Sequence, residues 1–554
     1  MPRVTLFDPR HSFVSWEDAQ ALSEGTGLKP QELAVTRPER LALHSVLIRV
    51  TAQLYVPDGP NYADLGISLR DMAAEIYNGF TVSEMNAIVA AYEAVRRETV
   101  QVVTDLLEKE VYRPNPAVVE KQKLGLLARL LGRQEPVQEP AQNDPSERAQ
   151  IIAMQWKSER NVDVTTASRR AIARTLAAVL NKRGALHLDR ETIEAISVGL
   201  VMNRIGSAAV GEAVATPFAR VVEEKGFRWL PSQTETLVLN AKGASAAGKS
   251  TIRAAQREIA ERLGYDWGDF AIISPDYWRK ALIDYDGLGE DYKYAAMLTG
   301  YELEVIDSKL DILMAVRGGE GKVPHMLIDR FRFDSFRPGR VRAEDSTLLT
   351  RFGSTVYLFF LVTSPAATVE RAWTRGVETG RFKATDDLLY HNIEAYSGMP
   401  NLFVSWAKDR SKWVHYEFLD NSVERGERPR TIAYGQNGSL VVTDLVKFCD
   451  INRYQHVNVD ARSPDEIEEV ILSDYDAAAF LRRAMQELTQ VDVLVPGSNV
   501  IFARSIEGQI TIDLSRVPKQ IDCEIFGKFE ESHTRFEEHS FEGCGEIIGT
   551  HDLR

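Results

Sequence analysis

The chain has 554 residues, more than one hydrophobic core usually serves, and length alone predicts about three or four domains. With 44% hydrophobic and 26% charged residues and no run near the ~18 apolar residues of a membrane helix, it reads as a soluble, cytoplasmic globular protein without membrane association. The net charge of −14 counts against a nucleic-acid substrate, because Lys and Arg carry backbone binding.

The opening octet, Met1-Pro2-Arg3-Val4-Thr5-Leu6-Phe7-Asp8, has no charged segment followed by an apolar one, so no secretory signal is read. Residues 1–132 form a helical region. Within it Thr81-Val-Ser-Glu84 predicts a capping box, with Met85, Ile88, Val89, Tyr92 and Val95 along one face. A further helical stretch runs through Leu106 toward Tyr112. Residues 133–150 are polar and rich in proline (Pro136, Pro140, Pro145) and predict a linker. Helical patterning returns in 151–228, over 168–180 and 189–202.

From 229 to 450 short apolar strands alternate with amphipathic helices, the pattern of an α/β domain with a largely parallel sheet. Strands are expected over 236–240, 270–273, 325–328 and 356–362. Helices are marked by Ile252, Ala255, Ile259 and Leu263, stopped by Gly264, and by Leu303, Ile306, Leu310 and Leu313. Ser364-Pro365 predicts a cap and first turn. Residues 451–554 read as a small α+β appendage, with a capping box at Ser463-Pro-Asp-Glu466 and strands near 500–502 and 509–513. Cys449, Cys523 and Cys544 lack zinc spacing and read as reduced thiols.

Between the first strand and the first helix of the α/β region lies Gly243-Ala244-Ser245-Ala246-Ala247-Gly248-Lys249-Ser250, followed by Thr251. Its form, Gly-x4-Gly-Lys-Ser after a strand and before a helix, is that of a phosphate-binding loop. Small residues let backbone N–H groups curl around phosphate oxygens, Lys249 brings a charge to the β- and γ-phosphates, and Ser250 offers a hydroxyl to Mg²⁺. ATP and Mg²⁺ are therefore the expected cofactors. Gly318-Gly-Glu-Gly321-Lys322 follows a helix and reads as a turn. Asn181-Lys182-Arg183-Gly184 lacks the Asp of a guanine-reading segment, which removes the GTPase reading.

Three further blocks follow in order: Ile272-Ile-Ser-Pro-Asp276, then Met326-Leu-Ile-Asp329, then Thr368-Val-Glu-Arg371 with Thr379-Gly-Arg381. With the loop, they make residues 237–443 resemble the zeta-toxin family of P-loop kinases. The resemblance implies that Asp276 is the general base for a substrate hydroxyl, that Asp329 contacts the substrate, and that Arg371 and Arg381 grip the transferring phosphates. Read without the resemblance, Asp276 suits a helix cap, Asp329 a metal shell or turn, and the two arginines solvated surface. Asp329 stands where the family has Glu, and Arg330-Phe331-Arg332-Phe333 replaces its Gly-Thr-Gly turn, which loosens the tie to UDP-N-acetylglucosamine as acceptor. His391, alone in a helical run, reads as structural, and the Arg337–Arg342 basic cluster as a solvated loop.

The expectation is thus an ATP- and Mg²⁺-dependent kinase of a small-molecule hydroxyl, plausibly on a nucleotide-sugar. By resemblance it could be a toxin with an antitoxin partner, or one regulated by its own N-terminal region. The rivals are a polynucleotide-end kinase and a non-catalytic nucleotide-binding switch.

Overall fold

The computed structural model describes residues 4–59, 63–112, 145–159, 163–249, 251–285, 287–330, 349–379, 382–467, 476–531, 535–539 and 547–550. They fall into two units. The first comprises Met1–Leu47, Asp71–Gly226 and Met297–Ile306, and the second Ile48–Arg70, Phe227–Ala296 and Asp307–Arg554.

The first unit is helical. The Thr81 box forms as read: Thr81 Oγ1 accepts from the Glu84 amide at 3.2 Å, and Glu84 Oε2 accepts from the Thr81 amide at 2.7 Å. These bonds satisfy two orphan donors at the start of the 25-residue helix Val82–Leu106. That helix packs against Val164–Arg183, and Val103, Leu107, Ile152, Ile172, Leu176 and Ile193 form a buried cluster. Helix Pro145–Trp156 begins inside the span read as linker. The stretch Arg190–Lys225 is long and apolar enough to cross a membrane by length and composition, and among the described residues no other helix meets those criteria. It buries Ile193, Ile196, Val210, Val214, Phe218 and Val222 within the unit. Glu302 is also in this unit, fully buried, bound by Arg40 at 2.6 and 2.9 Å and by His44 at 2.7 Å. Burial pushes its carboxyl up, but the Arg40 charge and the His44 bond outweigh that and hold it well below the usual range.

The second unit is α/β. Its strands are β1 (Leu237–Lys242), β2 (Phe270–Ile273), β3 (His325–Asp329), β4 (Thr355–Val362), β5 (Trp413–Asp420), β6 (Arg430–Gln436), β7 (Ser439–Val442), β8 (Gln490–Leu494), β9 (Ile501–Ile506), β10 (Gln509–Ile512) and β11 (Glu530–Glu531). They form one mixed sheet in the order β11-β10-β9-β8-β7-β6-β5-β4-β1-β3-β2. From β2 to β5 every neighbouring pair is parallel. The strands after residue 451 extend this sheet through the parallel β7–β8 pair, Ser439 opposite Gln490, and make no sheet of their own. Phe360, Tyr416 and Phe418 pack with Phe403, Phe448 and Phe480 at ring separations of 4.7–6.2 Å. Fully burying each such side chain contributes about 2–3 kcal/mol.

One cap reads differently. Ser463 makes no side-chain cap bond, Pro464–Glu466 is a single 3₁₀ turn, and the Glu466 carboxylate accepts from the Arg462 amide at 2.8 Å instead. With its carboxylate turned to the residue before Ser463, the reciprocal box cannot close.

Candidate active site

The carboxyl ends of the parallel strands lie on one edge of the sheet. This is where open α/β sheets hold ligands. β1 leads into the glycine-rich turn, β2 into Ser274 and Asp276, β3 ends on Asp329, β4 leads to Thr363 and β5 to Asn421.

The turn is tightly held from below. Ala244 and Ala247 are fully buried. Asn421 Nδ2 donates to the Ala247 carbonyl at 2.7 Å and Thr363 Oγ1 to the same oxygen at 3.2 Å. Tyr396, fully buried, fixes Thr363 by accepting from its amide at 2.8 Å and donating to its carbonyl at 2.7 Å. A Cβ on Gly248, whose φ is +94°, would collide with the Asn421 amide. Ala246 is left-handed as well, at φ 62°, a conformation that costs a non-glycine residue about 1 kcal/mol or more. Alternating backbone of this kind turns N–H groups toward one concavity, a geometry suited to anions. Helix Arg253–Arg262 follows the turn.

Lys249 folds back over the turn and donates to the carbonyls of Gly243 at 3.1 Å and Ala244 at 2.9 Å. Burial lowers its pKa, the Arg375 charge adds to this, and Asp329 and Asp276 oppose it. Thr251 donates to the Gly248 carbonyl at 2.6 Å and so serves the turn. Ser250 and Arg381 lie outside the described residues, as does the cluster at Arg337–Arg342.

The two acids stand across from the lysine. Asp329 accepts a 3.4 Å bond from Ser274 Oγ and lies 3.9 Å from Arg253. Burial raises its pKa against the pull of Lys249 and Arg253. Asp276 is about half exposed and paired with Arg279 at 3.1 Å. Arg253 is anchored in turn by the Tyr277 hydroxyl at 3.1 Å.

Arg371 is turned toward the loop after β5, where its Nη2 donates to the carbonyls of Asn421 at 2.5 Å and Val423 at 3.0 Å. One helical turn on, Arg375 is the arginine of this helix whose charge reaches Lys249. Sequence reasoning passed over Arg375 and Lys383 and read His391 as structural. The structure brings His391 Nδ1 to 2.8 Å from Ser245 Oγ, and Lys383 Nζ to 3.2 Å from Ser245 Oγ and 2.6 Å from His391 Nδ1. Lys383 lies two residues before the helix Thr385–Ala407 that carries His391, and their eight-residue separation is the one signal that could have joined them.

No protein-family model matches the chain, and no curated protein matches it. The chemistry of the site therefore rests on its own residues.

Proposed function

We propose that the second unit is an ATP- and Mg²⁺-dependent phosphotransferase acting on a hydroxyl of a small molecule, in the manner of the zeta-toxin kinases it resembles. The observation that carries this is the meeting of a left-handed, small-residue turn, its Lys249, and the carboxylates Asp329 and Asp276 at the carboxyl edge of parallel strands.

The residues fit both ligands. A triphosphate would take over the donors that Lys249 now gives to Gly243 and Ala244. Oxygen donors suit a hard cation, and the Asp329 carboxylate, with the hydroxyl that Ser250 brings in sequence, would hold it. Bound Mg²⁺ supplies neutralisation of charge on the β- and γ-phosphate oxygens. Lys249 and Arg375 add fixed positive charge from the other side. In the reaction the acceptor oxygen bonds to the γ-phosphorus, the bond from that phosphorus to the bridging oxygen breaks, and ADP leaves. The acceptor proton passes to the carboxylate of Asp276, whose exposure lets a substrate reach it.

The test is transfer from labelled ATP with Mg²⁺ into a metabolite extract. The wild type should label a small product, and Asp276→Asn should lower the rate by about 10²–10⁴-fold while nucleotide binding stays. Equal labelling by the two proteins would reject Asp276 as base.

A further inference from the structure

Lys383, Ser245, His391 and Asp387 make a compact cluster above the turn, and only Ser245 belongs to the phosphate-binding sequence. The Lys383 ammonium has three hydrogens and three neighbours: His391 Nδ1 at 2.6 Å, Ser245 Oγ at 3.2 Å and Asp387 at 3.2 Å. An ammonium carries no acceptor, so at this distance Nδ1 must be the lone-pair nitrogen. The imidazole is then neutral, with its proton on Nε2, which faces the Asp387 carboxylate at 3.7 Å. That agrees with the lowering of His391 to about 4 by burial and by the Lys383 and Lys249 charges.

As a stabilising device this is a poor one. Burial disfavours the Lys383 charge, Lys249 disfavours it further, and the compensating Asp387 is more than half exposed and screened by water. Asp276 is the other group whose charge favours it. The ammonium is bonded to Ser245 of the turn itself, and the charges of Lys249 and Asp276 both act on it. Perturbed charges gathered around one loop mark a candidate site, and cations there suit an anionic ligand.

We propose, on the kinase reading above, that Lys383 contacts the terminal phosphoryl group of the nucleotide, and that His391 is a positioning residue aiming the ammonium. The backbone of the turn and Lys249 hold the phosphate chain, and Lys383 adds a contact made only by the outermost phosphoryl group. No bond to Lys383 changes during transfer.

Affinity for ADP against a β,γ-imido ATP analogue, measured on the full chain with Mg²⁺, separates these roles without a known acceptor. Lys383→Ala should weaken the triphosphate analogue by about 10–100-fold and ADP by less than about threefold. Lys383→Arg should restore most of the preference. His391→Leu should lose part of it, whereas His391→Asn, which keeps an acceptor oxygen for Lys383, should hold it. A fold-only role would weaken both nucleotides together or neither, and either pattern overturns the assignment. Lys249→Met is the control and should weaken both. If the wild type binds neither nucleotide, or Lys249→Met changes nothing, the nucleotide reading itself fails, a result distinct from loss of the Lys383 effect alone.

Discussion

The two halves of the second unit's sheet handle charge in opposite ways. At the carboxyl edge of β2, β3, β1, β4 and β5, ionisable groups are held away from their ordinary behaviour. Burial lowers Lys249 and Lys383, takes His391 to about 4 and raises Asp329. In the mixed half, Asp492 on β8 is buried but met by Arg504 on β9 at 2.6 and 3.0 Å, with Gln490 adding a bond at 2.9 Å. The hydrogen bonds Arg504 donates to Asp492 raise its pKa rather than lower it. Charges of the second kind serve the fold. Those of the first kind cost it stability, the pattern of a site shaped for something other than the fold.

The comparison breaks most visibly at Lys249. Replacing it by Met should reduce Mg-ATP affinity by about 100-fold or more, while the thermal midpoint stays or rises because an unfavourably buried charge is gone. Calorimetry and thermal unfolding of one sample would read both. A collapsed midpoint with binding intact would make Lys249 a fold residue.

Asp492→Ala should do the reverse. Stranding Arg504 ought to cost about 3 kcal/mol in denaturant unfolding, with nucleotide affinity unchanged. Lost affinity at unchanged stability would erase the distinction between the halves.

The smallest effect sharpens the boundary. Glu417 on β5 is fully buried and accepts from the amides of Ile548 and Gly549, each at 2.9 Å, and from Thr431 Oγ1 at 2.5 Å. Burial nevertheless pushes it up to about 7. Because the folded value lies above the ordinary one of 4.5, the folded state binds the proton more tightly. The stability that proton provides is fully present below the unfolded value and is lost as pH rises through about 7. Between about pH 5 and pH 8 the wild type should lose about 1–3 kcal/mol more than Glu417→Gln. Equal losses would mean that the three donors keep Glu417 ionised throughout, and would group it with Asp492.

Local features were legible wherever the physics is local. Thr81 and Glu84 sit one helical turn apart, so their box could be read directly, and β2 matches its expected span. β1 runs to Lys242, past the expected end at Asn240. A lysine reads as loop, yet Lys242 is almost wholly buried and pairs with Phe360 because the sheet continues over it. Ser463 kept the cap spelling without the cap, since Glu466 found a nearer donor.

In the candidate site the same division holds. The turn and its lysine follow from adjacent residues, and Asp276 and Asp329 from the ends of legible strands. Arg371, read as a phosphate grip, donates to the loop after β5, while the charge of Arg375 one turn on acts on Lys249; spacing along a helix does not say which side faces which neighbour. His391 lies 146 residues from Ser245, and nothing in the intervening sequence marks them as partners.

What the sequence determined by itself is the alternation of strands and helices from β1 to β4, the small-residue turn and the chemical types around it, all set by neighbours a few positions away, whereas β5 to β8 were not read. The tertiary structure alone decided which cations meet over the turn and what protonation state each adopts. Those depend on strand order, and on the atoms that distant parts of the chain pack around each charge to exclude water.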